Sequence, residues 1–308
     1  MSTSESRVRV RGLVPILATP FDATGALDVA GLRRLVQFEL EAGVDGLAVF
    51  GLASEGFALT APERTTILTQ TRELAGPDLP LVAGVNATST DTALELALAA
   101  CDGGADALMV LPPYLAKPSG AQLVDFYATI AERTGLHVMV QDAPATTGVT
   151  MPVSAIVELS KLPGVDSVKV EAQPTAPKVG EVTAAVDGMF DVLGGQNSLF
   201  LLEEYARGAV GTMPACEFSD LLAPILADWH AGHQVRAHQA FNLLLPLIRF
   251  GLQPRLAWAV HKEVLVRRGI IDCARVRVPA AALDDGSRAA LDLILRLVPL
   301  PSWQGVRG

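Results

Sequence analysis

Cysteine is scarce in this chain: three residues in 308, at Cys101, Cys216 and Cys273, with no Cys-x-x-Cys pair. That spacing offers no disulfide framework and reads as reduced, mostly buried thiols in a cytoplasmic protein. An excess of positive charge is missing as well. With 24 Lys+Arg against 33 Asp+Glu the net charge is −9, which argues against nucleic acid and against an anionic membrane as partners. No apolar run is long enough to span a bilayer. The segment Met1 to Arg11 is polar, carries three arginines and lacks the apolar stretch of a signal peptide. His230, His233 and His238 lie near one another, but their spacing is loose and no carboxylate partner is evident, so they read as a solvated helix face and no metal is expected.

What the chain has in quantity is apolar residues, 50% of the total, enough to bury a large core. They fall into short runs that alternate with amphipathic stretches. Leu13–Thr19, Gly46–Phe50, Leu81–Val85, Ala107–Leu111, His137–Gln141, Val165–Val170, Phe190–Leu193 and Ala209–Met213 are the expected strands. Between them Val29–Ala42, Pro62–Leu74, Asp91–Cys101, Gly120–Arg133 and Val153–Lys161 have helical spacing. Thr60-Ala-Pro-Glu63 and Ser119-Gly-Ala-Gln122 are capping boxes. Strands joined through helices must pair in parallel by right-handed crossovers, and a barrel removes the edges of such a sheet. Beyond about residue 217 the strand pattern stops, and Leu221–Trp229, Gln234–Phe250, Arg255–Arg268 and Gly286–Leu297 read as helices. The expectation is an α/β TIM (β/α)8 barrel over residues 12–232, after a tail of residues 1–11 and before a C-terminal helical region of residues 233–308. The competing open, doubly wound sheet would want a Gly-rich loop after its first strand, and Pro15-Ile-Leu-Ala-Thr-Pro20 is not one.

Only five residues of the chain are lysine, and Lys169 is the unusual one. It stands between Val168 and Val170, late in a strand that a barrel would bury. A buried ammonium is costly unless it is paired or neutral. A desolvated amine is a usable nucleophile that forms Schiff bases with carbonyl substrates. The residues alone leave this role level with that of a structural lysine bridged to a carboxylate. Glu171, two residues on, faces the same side of the strand. It suits either an ion-pair partner or an acid/base group. The strand ends of a barrel collect the remaining candidates: Thr19, the Gly51–Gly56 loop, Asn86, Tyr114, Gln141, Asp142, Gln196, Asn197 and Thr212 to Cys216. Gly194-Gly195 reads as a tight turn that brings backbone close to the site.

Over residues 10–300 the chain resembles the dihydrodipicolinate synthase / N-acetylneuraminate lyase family of class I pyruvate-type aldolases. The resemblance rests on Pro15-Ile-Leu-Ala-Thr-Pro-Phe21, Gly51-Leu-Ala-Ser-Glu-Gly56, Gly84-Val-Asn86, Pro112-Pro-Tyr114, Ala143-Pro144 with Thr147-Gly148, Val168-Lys169 and Gly208-Ala-Val-Gly211. It implies a TIM barrel, a Schiff-base lysine at Lys169, a small 2-oxo acid substrate, no cofactor and a homotetramer. The departures narrow the chemistry. The family's proton relay of tyrosine, threonine and tyrosine is replaced by Gln141, Leu52 and Leu115, and its substrate-gripping arginine by Thr146. A glutamine amide cannot act as an acid or base. The Lys-Val-Glu pattern with Gln-Asp-Ala-Pro resembles the 2-keto-3-deoxy-pentonate dehydratase branch, that of L-2-keto-3-deoxyarabonate dehydratase-like enzymes. The resemblance then assigns Lys169 as nucleophile and Glu171 as general acid/base. Gln141, Asn197 and Tyr114 would orient hydroxyls or water. Ser54 and the backbone at Ala53 would hold the carboxylate, with Gly195 and Thr212 also lining the site. Two alternatives stay open: a 2-oxo-4-hydroxy acid aldolase or synthase that releases or uses pyruvate, and a silent barrel that only binds a 2-oxo acid.

Overall fold

A computed structural model describes residues 9–298 and 300–305, so the expected tail and C-terminal region extend beyond the described residues at 1–8, 299 and 306–308. Eight strands follow in chain order: β1 (Gly12–Leu13), β2 (Leu47–Val49), β3 (Leu81–Val85), β4 (Ala107–Val110), β5 (His137–Asp142), β6 (Val165–Val170), β7 (Asp191–Gly194) and β8 (Gly211–Thr212). All pairings are parallel, each strand with its successor from β2 to β8, and β8 with β1. The ring closes at Ile16, which bridges Ala48 on one side and Ala215 on the other. There the Leu17 N–H donates to the Ala48 carbonyl at 2.8 Å, and the Ala48 N–H to the Pro15 carbonyl at 2.9 Å. The fold is a TIM barrel with additional C-terminal helices. Its first and last strands are shorter than the apolar runs suggest; in the first, Pro15 has no N–H for a ladder.

Twelve helices surround the barrel among the described residues: α1 (Val29–Ala42), α2 (Ala61–Ala75), α3 (Thr90–Asp102), α4 (Gly120–Thr134), α5 (Pro144–Thr147), α6 (Val153–Leu159), α7 (Thr175–Ala185), α8 (Leu201–Tyr205), α9 (Ser219–His230), α10 (Gln234–Phe250), α11 (Ala257–Arg267) and α12 (Asp285–Leu297). Both capping boxes form: Glu63 bonds back to the Thr60 N–H, and Gln122 to the Ser119 N–H. None of the described helices is long and apolar enough to cross a membrane. α5, α7 and α8 escape the periodic pattern. α5 and α8 are too short to show one, and α7 is interrupted by Pro177 and Gly180.

Two apolar clusters carry the packing. Val14, Ile16, Ala48, Val82, Met109, Met139, Leu193 and Met213 fill the barrel interior. A larger one lies between barrel and helices and runs from Leu13 to Val298, taking in Leu244, Val264 and Leu291 from the C-terminal helices. Each fully buried Leu or Val contributes about 1.5–3 kcal/mol. This packing leaves the strand ends free to carry polar groups.

Candidate active site

The site is built on β5 and β6. Gln141, Lys169 and Leu193 occupy one register level across β5, β6 and β7. Lys169 is 4% exposed and Gln141 fully buried. The Lys169 Nζ stands 3.4 Å from Glu171 Oε1, and the Gln141 Nε2 donates to Glu171 Oε2 at 2.7 Å. Lysine and glutamate share a face because they are two apart along one extended segment. The glutamine joins them because β5 and β6 pair in register. Glu171 therefore has an ammonium at one oxygen and an amide at the other. Charge-assisted bonds of this kind orient a carboxylate strongly.

The loop after β2 folds as two successive 3-10 turns, Leu52–Ser54 and Gly56–Ala58, with Glu55 in a left-handed conformation between them (φ 55°). Ala53 packs on the interior cluster. The Ser54 Oγ is buried without a hydrogen-bond partner, while the Ser54 carbonyl accepts from Thr19 Oγ1 at 2.6 Å. Two residues one turn apart on α11 grip this loop. Trp258 Nε1 donates to the Leu52 carbonyl at 2.5 Å, and Lys262 pairs with Glu55. Both members of that ion pair are buried; the Lys262 ammonium also donates to the Arg275 carbonyl and lies 4.1 Å from the centre of the Phe21 ring. Burial pulls the ammonium below the ordinary lysine range, and Glu55 opposes that pull. Lys262→Met is expected to destabilise the protein by about 3–5 kcal/mol, because it strands the Glu55 carboxylate in the interior. Urea unfolding followed by fluorescence would register this; an unchanged midpoint would contradict it.

At the end of β7 the backbone turns the other way. Gln196, Asn197 and Ser198 all have left-handed φ (51°, 53° and 60°), although none is glycine. Such a conformation costs about 1–2 kcal/mol per residue and persists only where its surroundings impose it. Ser198 Oγ and Thr212 Oγ1 share a hydrogen bond of 2.7 Å, and Asn197 Oδ1 accepts from the Ala215 N–H at 2.9 Å. The two glycines before the turn admit a carboxyl on each side. A Cβ at Gly195 would sit 2.3 Å from Glu171 Cγ, and one at Gly194 would sit 1.8 Å from Glu204 Oε2. Glu204 lies behind the barrel wall, where Thr175 Oγ1 donates to its Oε1 at 2.5 Å. Burial pushes its carboxyl up to about 8, offset in part by that hydroxyl, so it is mostly neutral at pH 7.

Lys169, Glu171, Gln141 and Gly195 thus come together directly. Ala53 reaches the same interior from the loop after β2. Thr212 and Asn197 are tied into the ends of β7 and β8 by these bonds with Ser198 and Ala215, while the Asn197 Nδ2 is buried without a hydrogen-bond partner and lies beside Gly251 at the end of α10. Tyr114 is half-buried, its carbonyl accepting from Lys117 Nζ at 2.5 Å, and the neighbouring Leu115 is 81% exposed. Asp142 faces away from the interior and pairs with Lys178 at 2.5 Å; burial raises its carboxyl and Lys178 lowers it. Cys216 accepts from the Ala18 N–H at 3.2 Å, and Phe57 packs edge-on against Trp258. The three histidines disperse: His230 against Tyr205, His238 against Trp229, and His233 beside Asp228. Sequence reasoning placed Gln196 only among the strand-end candidates, read Trp258 as a packing anchor, and assigned no role to Lys262 or Glu204. The glycine pair before Gln196 was the one local signal available.

Comparison with known proteins identifies the family. Residues 9–297 match the dihydrodipicolinate synthetase family. The L-2-keto-3-deoxyarabonate dehydratase of Azospirillum brasilense is 32% identical over 96% of either chain. The 4-hydroxy-tetrahydrodipicolinate synthase 1 of Streptomyces coelicolor is 30% identical, over 89% of this chain and 90% of that enzyme. Among solved structures, the dihydrodipicolinate synthase of Rhodopseudomonas palustris superposes with a TM-score of 0.87 at 28% identity, over 94% of this chain and 97% of that one. The chain belongs to the dihydrodipicolinate synthetase family and is a lyase.

Proposed function

We propose that the protein dehydrates a 2-keto-3-deoxy sugar acid through a Schiff base on Lys169. The observation that carries this reading is the Glu171 carboxyl held between the Lys169 ammonium and the amide of Gln141, the residue that replaces the family's tyrosine. Similarity to the Azospirillum dehydratase along almost the whole chain supports it. The Lys169 amine adds to C2 of the substrate and water leaves, giving an iminium that acidifies C3. Glu171 takes the C3 proton, and the enamine expels the C4 hydroxyl, which leaves as water with the proton returned by Glu171. One carboxyl serves both steps because the two positions are adjacent carbons on one face. Tautomerisation and hydrolysis then release a 2-oxo acid that has lost one water overall. For a five-carbon substrate ending in a primary alcohol, the new carbonyl is an aldehyde at C5. The buried Ser54 hydroxyl and the backbone at Ala53 are suited to the substrate carboxylate. Thr146, in place of the family's arginine, suits a neutral hydroxylated tail better than a second carboxylate.

Product analysis tests this. With 2-keto-3-deoxyarabonate the expected outcome is a single product lighter than substrate by one water. Pyruvate with glycolaldehyde would instead establish the aldolase reading.

A further inference from the structure

We propose that Gln196 is a positioning residue for Glu171, and that the left-handed turn at the end of β7 is kept because it aims Gln196 at that carboxyl. The inference rests on the reading of Glu171 as the acid/base group. The Gln196 N–H donates to Glu171 Oε1 at 3.3 Å, and the Gln196 Nε2 donates to the Glu171 carbonyl at 2.9 Å. The carboxamide is itself fixed from the far side, where Gln173 Nε2 donates to Gln196 Oε1 at 3.1 Å. Glu171 is thus held at three points of its own structure: Oε1 by Lys169 and Gln196, Oε2 by Gln141, and the main chain by Gln196.

A right-handed turn after Gly195 would carry residue 196 away from β6. The left-handed one folds it back over Glu171. Its strain is borne by bonds on the opposite side, from Ser198 to Thr212 and from Asn197 to Ala215. Observed strain beside a candidate catalytic group is a motive for a functional hypothesis. The chemistry supplies the reason: a single carboxyl that takes a proton at C3 and returns it at the C4 hydroxyl must stay within a narrow range of orientations for both transfers.

The test is Gln196→Gly, compared with Glu171→Gln and the unaltered protein on 2-keto-3-deoxyarabonate. Glycine is the residue best suited to left-handed backbone, so this change relieves the strain at residue 196 and keeps its N–H to Glu171 Oε1 while deleting the carboxamide clamp on the Glu171 carbonyl. A merely structural turn would tolerate it without loss. The expected result is a melting temperature equal to or above that of the unaltered protein and unchanged borohydride trapping of pyruvate on Lys169. The dehydration kcat should fall about 10–100-fold, with KM within about twofold. Unaltered kcat in Gln196→Gly beside an inactive Glu171→Gln overturns the inference and leaves the Glu171 reading intact. A parallel fall in trapping rate also overturns it, since the turn would then support the lysine or the fold. Full turnover by Glu171→Gln overturns the reading and the inference together.

Discussion

Lys169→Ala is expected to lower kcat/KM by about 10⁴-fold or more, the scale of losing a covalent nucleophile, which corresponds to about 5 kcal/mol or more of transition-state stabilisation. Lys169→Arg should do no better, because a guanidinium stays charged and has no lone pair to offer a carbonyl. Reduction with borohydride in the presence of pyruvate, followed by peptide mapping, checks the cause directly. The unaltered protein should gain one adduct, on the peptide containing Lys169; either variant should gain none. The other four lysines are engaged by other partners: Lys117 with the Tyr114 and Thr147 carbonyls, Lys161 with Glu158, Lys178 with Asp142 and Lys262 with Glu55. An adduct on any of these, or none on the folded protein with any 2-oxo acid, would sink the Schiff-base mechanism and leave a binding barrel as the better account.

The second large effect is that of Glu171→Gln. Dehydration should slow by about 10²–10⁴-fold, the usual contribution of a positioned general acid/base. Pyruvate trapping on Lys169 should persist, because imine formation needs the amine and the carbonyl rather than the second carboxyl. The amide is nearly isosteric: its oxygen can still accept from the Gln196 N–H, and Gln141 can turn its carboxamide so that its oxygen, which has no hydrogen-bond partner in the unaltered protein, accepts from the new NH2, so the variant should fold. Loss of turnover with retention of trapping separates the proton-transfer role from an ion-pair role. If Glu171 served only as the partner of the lysine, both measurements would change together.

How much of this was legible in the residues depended on how local the cause was. The two capping boxes formed where their spacing placed them, since a cap is decided within four residues. β3 and β6 run over the residues that their β-branched pattern marks, although the register of β6 against β5 shifts by one residue at Asp166. β1 and β8 did not follow their apolar runs, since whether a strand forms a ladder depends on its neighbours, and in β1 Pro15 also has no N–H to offer. Asp142 shows the same limit within the site: strand alternation puts it on the opposite face from Gln141, but its partner Lys178 lies on a helix 36 residues away in sequence, beyond any local rule.

From the sequence alone came the alternation of strands and helices, the lysine between two valines, the glutamate that shares its face, and the family pattern whose missing tyrosines direct attention from cleavage to dehydration. These are short-range facts, set by side-chain periodicity and by the identity of single residues. The tertiary structure alone decided that the sheet closes at Ile16, and that Gln141 reaches Glu171 across a strand pair. It also decided that Trp258 and Lys262 hold the loop after β2, and that three non-glycine residues turn left-handed to bring Gln196 onto Glu171. Each of these depends on groups brought together by packing, and a conformation with its own energetic cost is adopted only where contacts from distant elements outweigh that cost.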